Sequence, residues 1–146
     1  MKKGMLEPYI NFNGEALDAL NFYGEVFDVV PEVMMFEDLP EAEREAMGYM
    51  SGVMHGSVDL GNAHLMADDM SSDIKDGNRY FLSWSSENVD DVIEVWDRFV
   101  EHGANIIMPL EQTFWAEKYG ILVDRFGVQW MIQKYAAYPQ ETFETE

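Results

Sequence analysis

Two short stretches of this chain, one in each half, decide the fold. The first is Val58–Met66, which reads VDLGNAHLM, and the second is Val123–Met131, which reads VDRFGVQWM. Each contains an apolar run, a turn with a glycine and a second apolar run, a pattern typical of two strands joined as a hairpin. The two stretches align when one inserted residue is allowed, so the chain contains an internal repeat.

The segments around each hairpin repeat in the same order. A strand at residues 8–13 precedes a helix at 15–27, and a strand at 79–85 precedes a helix that starts at Val89 and is capped at Gly103. Both helices carry apolar side chains three or four residues apart. The remaining strands are predicted at 28–39, 49–59 and 63–67 in the first half and at 105–110, 119–124 and 128–134 in the second, with a short helical turn at 40–47.

This order predicts an α+β fold built from two βαβββ modules, at about residues 8–68 and 79–135. The polar, turn-rich segment 69–78 connects them. We expect a single domain over residues 1–138 and an acidic tail at 139–146, since 146 residues is the length of one ordinary domain. Each module is too small to bury its own sheet, so the two sheets should pair around a shared cleft.

Composition excludes several classes of function. The 28 acidic and 9 basic residues give a formal charge of −19, which repels nucleic acid and anionic membranes. Solubility explains this charge more readily than a cationic ligand does. The chain has no cysteine, and therefore no disulfide, thiolate metal site or cysteine nucleophile. We find no secretory signal and no apolar run near the ~20 residues of a membrane span, so we expect a cytoplasmic protein.

A set of motifs in order along the chain resembles a known family. The motifs are Tyr9–Gly14 with Ala16, Phe22-Tyr23, Val26-Phe27, Met108–Leu110, Thr113–Trp115, Tyr119-Gly120 and Asp124–Trp130. Together they resemble the glyoxalase, bleomycin-resistance and extradiol-dioxygenase superfamily, the vicinal oxygen chelate fold, and more narrowly its PhnB-like branch. The resemblance implies a U-shaped cleft and commonly a homodimer. It implies no single chemistry, because the superfamily includes isomerases, oxygenases and drug-sequestering proteins.

The resemblance also implies four positions for metal ligands, on the first and last strands of each module. They fall at Pro8 or Tyr9, at His64 or Met66, at residues 80–82, and at Met131 with Gln129 and Gln133 on the same face. Only His64 is a clear donor for a divalent metal, and a lone histidine on a strand is more often a hydrogen-bonded packing residue. We therefore expect no cofactor and treat His64 as a weak metal candidate. A register shift of two residues would instead bring in Asn11, His55 and Gln133.

Motifs for other chemistry are missing as well. The chain has no glycine-rich loop for an adenosyl cofactor, no nucleophile elbow and no phosphate loop, and we assign no catalytic residue. What remains is apolar and aromatic. Trp115 stands out because it lies in a predicted loop, 113–118, where a large apolar side chain indicates a pocket or a contact. The candidate ligand-binding residues are Trp115, Trp84, His64, Tyr119, Met131 and Gln133, whereas Trp130 is expected in the core.

Three hypotheses for the function stay open at this point. The first is a metal-independent protein that binds a small molecule in a cleft lined by aromatic and methionine side chains. The second is a lyase, isomerase or dioxygenase that uses a divalent metal on His64. The third is a dimeric scaffold with a vestigial cleft. The sequence favours the first, and it leaves open whether any catalysis occurs.

Overall fold

The structure, a computed structural model, describes residues 1–135 and divides the chain into two compact units, Met1–Asp76 and Gly77–Glu146. The boundary falls inside the predicted connection at 69–78. The predicted acidic tail, 139–146, and the end of the predicted domain at 138 lie outside the described residues.

Unit 1 is a four-stranded sheet with one long helix. Its elements are β1 (Tyr9–Asn11), α1 (Ala16–Phe27), β2 (Glu32–Met35), a 3-10 turn (Phe36–Asp38), α2 (Glu41–Ala46), β3 (Val53–Asp59) and β4 (His64–Asp68). The strand order is β1-β4-β3-β2, in which β1 runs parallel to β4 and the other neighbours are antiparallel. This is the predicted βαβββ module, with β2 at an edge.

Unit 2 repeats that topology. Its elements are β5 (Leu82–Ser85), α3 (Val89–Glu101), β6 (Asn105–Glu111), β7 (Ala116–Val123) and β8 (Gln129–Tyr135). The strand order is β5-β8-β7-β6, and again only the first strand pairs in parallel. The predicted α+β fold of two modules is thus confirmed. No helix within residues 1–135 is long and apolar enough to cross a lipid bilayer.

The two predicted hairpins are present and share their turn chemistry. Asp59 Oδ1 accepts a hydrogen bond from Gly61 N at 2.8 Å, and Asp124 Oδ1 accepts one from Phe126 N at 2.9 Å. A left-handed glycine follows in each turn, Gly61 with φ +90° and Gly127 with φ +86°. An aspartate that bonds to the backbone two residues ahead and a glycine with positive φ are the residues that such turns require.

Several strands are shorter or begin elsewhere than predicted, and two of these differences bear on the site. The long strand expected at 28–39 is only Glu32–Met35, because the buried Phe36 leaves the ladder and its N–H bonds to Gly52 O at 2.9 Å. The loop expected at 113–118 ends early, since β7 begins at Ala116 and pairs with β8 across a bulge. An ion pair between Lys134 and Glu117 adds to this pairing.

A glycine in each sheet lets the helix approach. A Cβ on Gly56 would lie 2.3 Å from Leu20 Cδ1 of α1, and a Cβ on Gly120 would lie 2.6 Å from the ring of Trp96 in α3. The cores of both units lie at these contacts, where Leu20 is fully buried and Trp96 is 7% exposed. Each sheet therefore has one face packed on its own helix. We call the opposite face the distal face.

Candidate functional site

The distal face of unit 2 is defined by the register of its strands. Trp130 lies on the helix side, since its ring is 5.1 Å from that of Phe99 in α3. Met131, the next residue, therefore points to the distal face, and so do its ladder partners Ser83 and Ile121. Gln133 and its partner Tyr119 follow two residues along the same face.

An aromatic cluster extends from this face into the β6–β7 loop. The Trp115 ring contacts Tyr119 edge-on at a centroid distance of 5.3 Å and Phe114 edge-on at 4.7 Å. The Tyr119 hydroxyl in turn donates to Met131 Sδ at 3.6 Å. Trp115, Tyr119 and Met131 are half-buried, whereas Phe114 is 91% exposed. The structure thus brings together three of the predicted residues and adds Phe114, which the sequence analysis did not select.

A tight turn holds Phe114 and Trp115 in place. Thr113 N donates to Ala116 O at 3.0 Å, and Ala116 N donates to Thr113 Oγ1 at 3.1 Å. Ala116 itself is fully buried, which anchors the end of the turn. The two aromatic residues therefore occupy the tip of a closed turn and not a free loop, so the Trp115 ring is positioned before any ligand arrives.

Gln133 contributes a buried polar group near the cluster. It is only 1% exposed, and its Nε2 donates to Ser83 Oγ at 2.5 Å. A buried amide is costly without hydrogen bonds, so this bond fixes the side chain within the sheet. Gln133 lies two residues beyond Met131 on the same face, as the period of two predicted.

Trp84 does not join this cluster. Its ladder partner is Ile132, which is fully buried on the helix side of the sheet. Paired residues share a face, so the Trp84 ring is directed to the side of α3 and away from Met131. Aromatic composition alone did not separate the two faces of this strand.

His64 belongs to unit 1 and lies at one end of its sheet. Its Nδ1 is 2.7 Å from Glu7 Oε2, its backbone N–H donates to the same oxygen at 2.6 Å, and its Nε2 is 3.7 Å from Asp59 Oδ2. The hydrogen bond to Glu7 raises the pKa of His64 above its usual range. This ring has the hydrogen-bonded role that a lone strand histidine most often has.

A second polar cluster occupies the distal face of unit 1. The Tyr9 hydroxyl donates to Asp68 Oδ2 at 2.5 Å and lies 3.4 Å from His55 Nδ1. Asp68 is 6% exposed, whereas His55 is exposed. Desolvation and the neighbouring Asp68 raise the pKa of Tyr9 to about 12. In the sequence, Tyr9 and His55 are only possible metal positions, and their link to Asp68 is not visible because their strands are paired only in the folded sheet.

Comparison with known proteins agrees with this architecture. Residues 11–132 match the family described as the Glyoxalase/Bleomycin resistance protein/Dioxygenase superfamily. The chain belongs to this superfamily. It is 28% identical over 137 residues to protein YjdN of Escherichia coli, covering 87% of this chain and 92% of that protein.

Two solved structures of similar proteins show the same fold. Protein PA1353 from Pseudomonas aeruginosa is 28% identical and has a TM-score of 0.78, covering 90% of this chain and 98% of that one. The PhnB protein from Bacillus cereus is 22% identical and has a TM-score of 0.70, covering 90% and 99%. These similarities support the PhnB-like branch that the sequence motifs predicted.

The strand positions at which the resemblance implies metal ligands carry other groups in this chain. On the distal face of unit 1 the pair on the first and last strands is Tyr9 and Met66. In unit 2 the pair is Ser83 and Met131, since Leu82 is directed to the helix side. Phenol, hydroxyl and thioether groups are poor ligands for zinc, nickel, iron or manganese, which bind imidazole or carboxylate groups. Within residues 1–135 no group of three or more His, Asp or Glu side chains is arranged to hold a metal ion.

Proposed function

We propose that this chain is a metal-independent protein that binds a small molecule, as some members of its superfamily do. The ligand lies against the aromatic cluster on the distal face of unit 2, with Trp115 as the main contact. One observation carries the proposal: Trp115 is half-buried at the tip of a closed turn and stands edge-on between Phe114 and Tyr119.

The cluster suits a flat, apolar ligand. Its rings and the Met131 thioether offer polarizable apolar surface, which binds planar molecules with little directional demand. Gln133 and Ser83 lie nearby and are hydrogen-bonded to each other. Both side chains are uncharged, so the ligand needs no charged group to pair with them. The formal charge of −19 raises the local concentration of cations, and an aromatic face attracts them further. We therefore favour a planar aromatic cation.

Titration with a panel of planar aromatic cations, with ethidium first, tests the proposal. We expect saturable binding that weakens about 10-fold in Trp115→Ala, since an aromatic contact of this kind is worth about 1 kcal/mol or more. Trp84→Phe is the matched control, because that tryptophan is directed to the other side of the same sheet. Binding that survives Trp115→Ala, or weakens equally in the control, contradicts the assignment.

Metal analysis of protein purified without an affinity tag separates the two other hypotheses. Stoichiometric zinc, nickel, iron or manganese that disappears in His64→Gln overturns the metal-independent proposal in favour of a metal-dependent enzyme. No metal and no binding by any cation of the panel favours the scaffold. The homodimer implied by the superfamily stays a prediction, which light scattering on the purified protein measures.

A further inference from the structure

Tyr9, His55 and Asp68 form a chain of hydrogen bonds that the proposed function does not use. This series of hydrogen bonds starts at the Asp68 carboxylate, which is 6% exposed, passes through the Tyr9 phenol and ends at the exposed imidazole of His55. Asp68 Oδ1 is also fixed, since it accepts from Met70 N at 3.0 Å. Both oxygens of the Asp68 carboxylate therefore accept hydrogen bonds, and the orientation of the carboxylate determines where the Tyr9 hydroxyl lies.

The protons available to these three side chains favour one tautomer of His55. A tyrosine hydroxyl has one proton, and Tyr9 donates it to Asp68 at 2.5 Å. Only a protonated Nδ1 can then donate to the Tyr9 oxygen, across the longer distance of 3.4 Å. The raised pKa of Tyr9 keeps its hydroxyl proton in place well above neutral pH. The neutral form of His55 that satisfies this contact has its proton on Nδ1 and a lone pair on Nε2.

The surroundings of His55 favour a ligand that donates a proton and carries positive charge. Asp68 places a negative charge behind the ring, and hydrogen bonds in such a chain polarise one another, which strengthens Nε2 as an acceptor. Within the part of the chain that the structure describes, Nε2 has no hydrogen-bond partner. The Tyr9 ring, 46% exposed, lies beside it at a centroid distance of 5.9 Å, and an aromatic face attracts cations. Met34, the ladder partner of His55, is 53% exposed.

We propose that His55, oriented by Tyr9 on Asp68, binds the ammonium group of a primary amine, which donates an N–H to Nε2. This is a second ligand contact, carried by unit 1 alone. It requires a donor proton, unlike the aromatic cluster of unit 2, which takes any planar cation. A quaternary ammonium has the charge but no proton to donate.

Ring-nitrogen NMR of the histidines tests the tautomer first. The chain has three histidines, so single His→Gln variants assign every signal. We expect His55 in the Nδ1–H form at a pH where the ring is neutral, and a shift toward Nε2–H in Tyr9→Phe, which removes the oxygen that Nδ1–H needs. A wild-type His55 in the Nε2–H form overturns the proposal.

A matched pair of cations tests the binding. Benzylammonium should shift the His55 Nε2 signal in a saturable way, whereas benzyltrimethylammonium, which has the charge but no N–H, should shift it far less. Affinity for benzylammonium should fall about 10-fold in His55→Gln, in line with a hydrogen bond to a charged group. His102→Gln, an exposed histidine at the end of α3, should leave it unchanged. Equal shifts with both cations overturn the proposal.

The two proposed ligand sites can be tested independently, because each has its own probe and its own variant. If Trp115→Ala weakens ethidium binding about 10-fold while benzylammonium still shifts His55, both proposals hold. If ethidium binding fails in the wild-type protein but the His55 response is present, only the function proposed for unit 2 is lost.

Discussion

The distal faces of the two units have the same hydrogen-bond geometry but different chemistry. In unit 1 Tyr9 on the first strand is bonded to Asp68, and in unit 2 Ser83 on the first strand is bonded to Gln133. Asp68 lies two residues beyond Met66, the ladder partner of Tyr9. Gln133 likewise lies two residues beyond Met131, the ladder partner of Ser83. The repeat therefore keeps the bonded positions while it exchanges a carboxylate for an amide.

The third strand extends the comparison. Tyr119 is the ladder partner of Gln133, and His55 stands beside Asp68, one step along from the pair Gly56–Ala67. At this position unit 2 has the phenol ring of Tyr119, and unit 1 has the imidazole of His55. The same strand order therefore carries a titratable site in unit 1 and an apolar site in unit 2. Four predictions test this contrast.

The largest effect is expected from the buried aspartates. Asp69 accepts from three backbone N–H groups of distant segments, among them Gly14 at 2.7 Å and Val53 at 2.9 Å. Asp124 instead accepts from donors close in sequence, namely Phe126 N, Val128 N and Trp130 Nε1, the last at 3.0 Å. Asp69→Ala should cost about 3–5 kcal/mol of unfolding free energy, since charged hydrogen bonds and their unsatisfied donors are each worth about 1–3.

Asp124→Ala is the counterpart, and it should cost about 2 kcal/mol because water reaches the half-buried backbone of Phe126 and Val128 and satisfies part of it. Urea unfolding measures both. An equal loss in the two variants would show that bridging distant segments adds nothing to the role of Asp69.

Exchanging the chemistry of the distal faces comes second. Gln133→Glu places a carboxylate at a position that is 1% exposed, and burial should raise the pKa of the new side chain. The new carboxyl group then ionises more readily in the unfolded state than in the folded state. The free energy of unfolding should therefore fall by about 2–3 kcal/mol at pH 7 and return as the pH is lowered to about 5.

The reverse change, Asp68→Asn, should cost only about 1 kcal/mol, because the amide oxygen still accepts from Tyr9. Thermal unfolding at several pH values reports both variants. A Gln133→Glu protein whose stability does not depend on pH would contradict the burial of this position.

The third prediction concerns the glycines under the helices. A Cβ at Gly120 meets the rigid ring of Trp96 at 2.6 Å and Leu110 Cα at 3.1 Å. A Cβ at Gly56 meets the end of the flexible Leu20 side chain at 2.3 Å, and the nearest backbone atom, Glu32 O, is farther away at 3.3 Å. Gly120→Ala should therefore cost about 2 kcal/mol and Gly56→Ala about 1 kcal/mol, by overpacking. Gly77→Ala, with no atom within 4 Å, is the control in urea unfolding. A larger loss at Gly56 would mean that Leu20 cannot move.

The smallest effect is expected from the ion pair of His64 with Glu7. Hydrogen bonding to Glu7 raises the pKa of His64 above 6.5, so its contribution is present below pH 6.5 and is lost as the pH rises through that raised pKa. The backbone and ring of His64 lower the pKa of Glu7 below 4.5, so its contribution is present above 4.5 and is lost at lower pH.

The melting temperatures of the wild-type protein and of His64→Gln should therefore differ most between pH 4.5 and 6.5 and converge at alkaline pH. Unit 2 has the neutral Gln129 at the matching hairpin position, where it pairs with Val123 as His64 pairs with Asp59. A difference that grows above pH 8 would show that the His64 ring stabilises the fold by packing and not by charge.

Much of the fold could be predicted from local patterns. The hairpin at Val58–Met66 and its repeat carry their turn residues in the sequence, and the helix from Val89 carries an apolar stripe and an N-cap, Asn88, whose Oδ1 accepts from Asp90 N and Asp91 N. The burial of Trp130, 2% exposed, was also predicted. These features depend on residues close together in the chain, so short windows of sequence contain them.

The sites could be predicted only in part. Trp115 was identified because a loop is a costly place for a large apolar side chain, and Met131 and Gln133 share a face by the period of two. Trp84 was grouped with them although its ladder partner, Ile132, lies on the helix side. Which face a strand residue takes depends on the partner strand, and the sequence of one strand does not state it.

The sequence by itself determined the doubled βαβββ plan, because turn chemistry and hydrophobic period act over a few residues. Only the tertiary structure decided which side chains meet on the distal faces. The bond from Tyr9 to Asp68 joins residues 59 apart, and that from Gln133 to Ser83 joins residues 50 apart. Such contacts are set by strand register, and a shift of one residue would turn every one of these groups to the opposite face.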